Sequence, residues 1–135
     1  MRSPRFDIQY PYTRIHGQYY PLVPLVLHLN GRSVKTFGLL DSGASVSLFR
    51  PEIGRALRIP VRNGHGQVIK LARGRLKATL CRVNVQMEKV RFPVFIGFSR
   101  GRAASFNIIG RQGFFERFGV YFNESKHRVG LAVKK

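Results

Sequence analysis

The sequence predicts an all-β dominated fold with one or two short helices, and three observations carry that expectation. Leu25-Val26-Leu27-His28-Leu29 and the run from Leu76 to Met87 follow the two-residue alternation of half-buried strands. Asn30-Gly31, set between two such runs, is the strongest short hairpin signal, because a two-residue turn of this kind needs positive φ at both positions. Only Pro51 to Ile59 has a helical plan from start to stop, with Pro51 near its first turn and Pro60 beyond its end. A chain of 135 residues with 44% hydrophobic content is sized for one domain with a real core.

In chain order, residues 1–20 form a tyrosine-rich arm, with Tyr10, Tyr12, Tyr19 and Tyr20 among Pro11, Gly17 and Pro21. The arm packs on its own domain or on a partner, and the residues leave both open. The Asn30-Gly31 hairpin follows and returns through Arg32 to Phe37 toward Asp41. It puts His28 on the strand face opposite Leu27 and Leu29, at a partly exposed polar position. In the Pro51–Ile59 helix, Ile53, Ala56 and Leu57 make the expected packing stripe, and the helix is expected behind the Asp41 loop. Val61 to Leu71 reads as a second hairpin, with glycines on either side of His65 making a tip. Leu76 to Met87 and Val90 to Phe98 extend the antiparallel sheet, and Ser99 to Ser105 is a basic loop. A short helix over Gly113 to Phe118 then leads into a closing hairpin, Val120 to Asn123 and Arg128 to Val133.

Asp41 is the residue in this plan that needs a reason. It is one of two aspartates, and an ionised carboxylate entering a core costs several kcal/mol unless it is paired or hydrogen-bonded. Phe37, Leu39 and Leu40 read as the end of a buried strand; Ser42 and Gly43 supply a hydroxyl and a permissive backbone for a sharp loop beyond it. Taken alone, Asp-Ser-Gly fits an Asx turn, in which the side chain bonds the backbone two residues on. A second segment, Phe106 to Phe115, repeats the plan without the carboxylate: Leu39-Leu40-Asp41 is matched by Ile108-Ile109-Gly110.

These two segments, in this order, resemble the paired signatures of the retropepsin-like aspartic proteases, an apolar-apolar-Asp-Ser/Thr-Gly-Ala loop and a later apolar-apolar-Gly-Arg turn. The form Ile108-Ile109-Gly110-Arg111-Gln112-Gly113-Phe114-Phe115-Glu116-Arg117-Phe118 is most similar to the single-domain bacterial members, and the resemblance covers roughly residues 20 to 133. It implies a closed, barrel-like acid-protease fold, with a protease domain over residues 21–135 behind the arm. It also implies a homodimeric aspartic endopeptidase with Asp41 catalytic, Ser42 and Gly43 supporting the loop, and Ala44 and Ser45 along the substrate backbone. Gly64, His65 and Gly66 fall at the flap, and Ile109, Gly110 and Arg111 form the second signature turn. Ser45 departs from the retroviral pattern, where an aspartate pairs with the arginine of the second turn, so Arg111 must be satisfied in another way.

If the site is catalytic, the residues independently call for two chains. Hydrolysis by aspartates needs two carboxylates that share a proton, because like charges about 3 Å apart cannot both ionise. Asp7 sits in the polar arm without a glycine turn, and Glu52, Glu88, Glu116 and Glu124 have no matching loop, so the second carboxylate comes from a second Asp41 across a two-fold axis. The partners expected are thus a peptide or protein substrate and a second copy of the chain.

Other chemistries fit poorly. Gly43-Ala44-Ser45-Val46-Ser47 misses the G-x-S-x-G elbow at its last position. Four dispersed histidines and one cysteine offer no metal-ligand cluster, and neither a metal nor a cofactor is expected. Gly64, Gly66 and Ile69 fail the dinucleotide fingerprint at its third glycine. Cys81, in a strand, reads as an inert buried thiol, and a single cysteine allows no internal disulfide. With no apolar run of spanning length and no secretory stretch at the start, the expectation is a cytoplasmic protein. The formal charge of +18 favours an anionic partner. Its cations are dispersed along the chain, as on a solvated basic surface rather than in a nucleic-acid arm. The rival reading is a catalytically silent retropepsin-like dimer that serves assembly or binds polyanions, with Asp41 kept for loop structure.

Overall fold

The computed structural model describes residues 6–60, 66–71, 74–101 and 105–134. Twelve strands and one α-helix follow in order: β1 Ile8–Pro11, β2 Thr13–Ile15, β3 Gln18–Tyr20, β4 Leu22–Leu29, β5 Arg32–Leu40, β6 Ser47–Phe49, α1 Pro51–Ala56, β7 Gly66–Leu71, β8 Gly74–Met87, β9 Val90–Ser99, β10 Asn107–Ile109, β11 Phe118–Asn123 and β12 Arg128–Val133. Strands β4, β5, β10, β6, β9 and β8 are joined side by side in that order, and pairing of β8 back onto β4, with Leu27 opposite Val85, closes them into a barrel. β7 pairs with the first part of β8, on the edge away from β9.

Local chemistry explains most of the elements. Asn30 and Gly31 take φ of 50° and 79°, both in the left-handed region, so β4 and β5 meet through the expected two-residue turn. The β8–β9 ladder runs from Ala78–Ser99 to Met87–Val90 and reverses at Glu88-Lys89, with Glu88 at φ 53°. The core is the barrel interior together with the layer beneath the closing hairpin. Val23, Leu27, Val85, Ile96 and Ile109 are fully buried, and the Phe92 ring meets those of Phe114 and Phe118 edge-on at 5.4 Å each.

The helix differs from its expected stripe. α1 ends at Ala56, which is exposed, and packs through buried Gly54 against Phe98 of β9, while Leu57 just past its end is 2% exposed. The short helix expected over Gly113 to Phe118 is instead a kinked turn at Arg111–Phe115. Gln112 is extended (ψ 122°) and Gly113 sits at φ 82°, which breaks the helical path before it can run on. The stretch of the arm from Ile8 to Tyr12 packs on its own domain. β1 pairs with β12, Ile8 opposite Leu131, and Ile8, Tyr10 and Tyr12 are buried among the core residues. Tyr10 and Tyr12 donate their hydroxyls to Glu88 and Glu124, both at 3.0 Å.

Candidate active site

β5 and β10 run parallel, with Leu39 beside Ile108 and Leu40 beside Ile109, so the two signature segments leave the barrel together. The expected likeness of the two segments is therefore spatial as well as sequential. Asp41 follows β5 directly. Its N–H donates to the Ile109 carbonyl at 3.0 Å, and its own carbonyl accepts the Ala44 N–H at 3.2 Å, which closes a tight loop. The Gly43 N–H donates to Asp41 Oδ1 at 2.9 Å, so the Asx turn does form. It uses one carboxylate oxygen only. Asp41 stays partly exposed, with Ser42, Gly43 and Ser45 open to solvent and Ala44 partly covered. A Cβ at Gly43 would lie 3.2 Å from Oδ1, so glycine there lets the backbone come close to the carboxylate.

The second turn locks this loop from below. Gly110 N–H donates to the fully buried Ser47 Oγ at 2.9 Å, Arg111 N–H to the Ala44 carbonyl at 2.9 Å, and Gln112 N–H to the Ser45 carbonyl at 3.0 Å. A Cβ on Gly110 would lie 2.4 Å from the Val46 carbonyl oxygen, so a side chain cannot be admitted there. Arg111 thus joins the site through its backbone. Its side chain is exposed and makes no ion pair among the described residues, and Ser45 meets this turn through its carbonyl.

Two supports were not singled out from the sequence. Asn107, 5% exposed, accepts the Arg50 N–H at 2.8 Å and donates through Nδ2 to Thr36 Oγ1 and the Phe37 carbonyl at 3.0 and 2.8 Å. One side chain thereby ties β5, β10 and the start of α1. Ser47 is the other. The available signal was a small polar residue at the head of each of two apolar runs, Ser47-Leu48-Phe49 and Asn107-Ile108-Ile109, where a buried polar group needs partners.

The expected flap tip falls largely outside the described residues. Gly64 and His65 lie outside them, and Gly66 opens β7, paired with Thr79. β7 and β8 run antiparallel from that pair to Leu71 opposite Gly74.

The remaining polar groups are engaged elsewhere. Asp7 accepts the Val133 N–H at 2.8 Å, Glu116 accepts the Gly113 N–H at 2.8 Å, Glu88 and Glu124 hold the two tyrosines, and Glu52 is paired with Arg50, which lowers the Glu52 pKa. Asp41 is the one acid of the six that stands on the first signature loop, where the parallel β5 and β10 end. His28, partly buried, has Ser33 Oγ at 2.7 Å and Gln86 Oε1 at 2.8 Å, in a network on β4 and its neighbours. Burial pushes the Cys81 thiol up, which agrees with an inert role. Among the described residues no three His, Cys, Asp or Glu side chains converge, and no helix is long and apolar enough to cross a membrane.

No family model and no curated protein matches this chain by sequence. Solved structures do match by shape. A retropepsin-like aspartic protease from Rickettsia conorii aligns over 90% of this chain and 96% of its own, at 18% identity and a TM-score of 0.66. The EIAV protease complexed with the inhibitor HBY-793 aligns over 73% of this chain and 88% of its own, at 17% identity and a TM-score of 0.55. At these identities the likeness is one of fold.

Proposed function

From its retropepsin-like fold, we propose that this chain is an aspartic endopeptidase that acts as a homodimer, with one Asp41 from each copy activating a water for peptide-bond hydrolysis. The observation that carries this reading is the placement of Asp41: of the six acids it alone stands where the parallel β5 and β10 end, partly exposed on the first signature loop, while the other five hold hydrogen bonds or an ion pair on other segments. A second carboxylate must then come from a second copy.

In the dimer the two Asp41 carboxylates share one proton. The ionised one takes a proton from the bound water as its oxygen attacks the scissile carbonyl carbon; the protonated one gives its proton to the carbonyl oxygen. Collapse of the tetrahedral intermediate breaks the C–N bond as the first carboxyl passes the water's proton to the amine and the second takes a proton back from a hydroxyl of the intermediate, leaving a carboxylic acid, a free amine and the pair as it began. The Ser42 hydroxyls brace the two loops, Gly43 leaves room for the water, and Ala44 and Ser45 lie along the substrate backbone. Ile109, Gly110 and Arg111 hold the loop at its height. The β7–β8 hairpin closes over the substrate and excludes water.

Cleavage of an unbiased peptide library from acid to neutral pH, wild type beside Asp41→Asn, tests the proposal. The expected result is cutting by the wild type and a loss of about 10³-fold or more in the variant, within the range of a general acid–base group. Equal cutting by both proteins would assign the activity elsewhere, and no cutting by folded wild type at any pH would remove the protease reading. Sedimentation of the same sample should give a dimer.

A further inference from the structure

At the end of β5 away from Asp41, the β4–β5 turn and the neighbouring β8 and β9 border an open cleft of about 360 Å³. His28 of β4, Arg32 and Ser33 of β5, Asn84 of β8 and Arg91 of β9 line it, and no carboxylate stands among the described residues that do so. The strand register sets His28 between Ser33 and Asn84, and Arg32, Asn84 and Arg91 are exposed. Arg91 is held at two points: its Nη2 lies 2.8 Å from His28 Nε2, and its Nε donates to Gln86 Oε1 at 3.3 Å. Gln86 is itself tied down through Nε2, which donates to the Glu88 carbonyl at 3.1 Å, and His28 Nδ1 lies 2.7 Å from Ser33 Oγ. His28 Nε2 also stands 2.8 Å from Gln86 Oε1, and one ring nitrogen cannot both accept from a guanidinium and donate to an amide oxygen. With the ring hydrogen on Nδ1, Nε2 accepts from Arg91; with it on Nε2, Gln86 takes the bond and Arg91 Nη2 loses its acceptor. In either form only neutral groups hold the guanidinium, so its charge is positioned without being cancelled. The Glu88 carboxylate is occupied with the Tyr10 hydroxyl. The side chains of Arg32 and Asn84 make no hydrogen bond or ion pair among the described residues.

A guanidinium fixed by neutral partners, with a second one free beside it at an acid-free cleft, attracts an anion. We propose that this cleft binds a phosphate group, free or as the ester of a small organic group. Arg32 and the remaining N–H groups of Arg91 supply the charge, and the Asn84 amide and the Ser33 hydroxyl add donors from two further positions. Donors that arrive from several strands suit a tetrahedral oxyanion, whose acceptor oxygens point in several directions, better than a carboxylate, whose two oxygens lie in one plane. The volume stands at the small end of the roughly 300–1,000 Å³ range of ligand sites, which matches a small ester. Because the cleft and Asp41 lie at opposite ends of the nine-residue β5, the site does not depend on Asp41 being catalytic.

The test is titration of the full-length protein with inorganic phosphate, glycerol 3-phosphate and acetate at constant ionic strength, followed by calorimetry and by amide shifts of Gly31, Ser33 and Asn84. Saturable binding of inorganic phosphate at least as tight as that of glycerol 3-phosphate supports the site with free phosphate as its ligand; tighter binding of glycerol 3-phosphate supports it with an ester. Arg91→Gln should weaken phosphate binding at least about tenfold, the loss expected for one charge-assisted hydrogen bond, and Arg32→Gln by a smaller factor. Acetate binding as tight as phosphate, unchanged affinity in both arginine variants, or shifts confined to other regions would overturn the proposal. Should Arg91→Gln not fold, Arg32→Gln decides alone, and unchanged affinity in it overturns the site.

Discussion

Leu39-Leu40-Asp41 and Ile108-Ile109-Gly110 share a sequence plan and lie side by side in parallel, yet their third residues meet opposite environments. Asp41 is partly exposed, with one backbone N–H on its carboxylate. Gly110 is buried, its N–H on Ser47 Oγ and its Cα pressed against the Val46 carbonyl. One half of the pair presents chemistry and the other supplies a floor for it. The contrast shows that the catalytic candidate cannot be read from its own loop alone, because the height and direction of residues 41–45 are set by three N–H donors from residues 110–112.

The sharpest way to break this comparison is to give the floor a side chain. Gly110→Ala puts a Cβ 2.4 Å from one carbonyl oxygen and 2.9 Å from another, with backbone on both sides and no rotamer to yield. The expected cost is about 3 kcal/mol, at the upper end for overpacking, read by urea denaturation, together with loss of any Asp41-dependent cleavage. Asp41→Asn should change stability by less than about 0.5 kcal/mol, since it sits at the surface and keeps an acceptor for the Gly43 N–H. Equal destabilisation by the two variants would mean that both positions are structural.

A smaller effect is expected one step back. Asn107→Leu keeps the volume of the side chain but leaves the Arg50 N–H and the Phe37 carbonyl without their partner. A loss of about 2 kcal/mol follows from stranding such groups, seen as a lower denaturation midpoint with the slope unchanged. A value near zero would show that β5 and β10 are held in parallel by their ladder alone.

What the sequence made legible was local. Asn30-Gly31 specified its hairpin because positive φ at two adjacent positions suits few other pairs, and the twin apolar tripeptides stood out because each ends on a residue that interrupts a strand. What stayed hidden was set at long range. Nothing in Ile8 to Pro11 names β12 as its partner more than 110 residues away, so the arm's destination was open until Ile8 was seen opposite Leu131. Glycine also misled once. At Gly113 a φ of 82° bends a segment whose apolar spacing fits a helix. Asn107 and Ser47 were missed for a related reason: a polar residue heading a strand looks like a turn residue until the barrel closes around it.

The comparison of Asp41 with Gly110 also requires that the scaffold itself stay unchanged across the pH range in which activity is read, and the arm supplies the check. Burial first, and then the hydrogen bond to Glu124, push the Tyr12 phenol up to about 12, and burial and Glu88 raise Tyr10 in the same direction. An unfolded tyrosine titrates near 10. Because the folded value is the higher one, the contribution of the neutral phenol is complete below pH 10 and is lost as the pH rises through about 12. Tyr12→Phe should therefore lower stability slightly and evenly from acid to neutral pH, by about 1 kcal/mol for one hydrogen bond, and should fall less steeply than wild type above pH 10. Urea midpoints at pH 5, 7, 9 and 11 would show it. If the wild type instead loses stability between pH 5 and 9 through this tyrosine, a pH profile of cleavage would report the scaffold as well as the Asp41 pair, and the two would have to be separated in the Tyr12→Phe background.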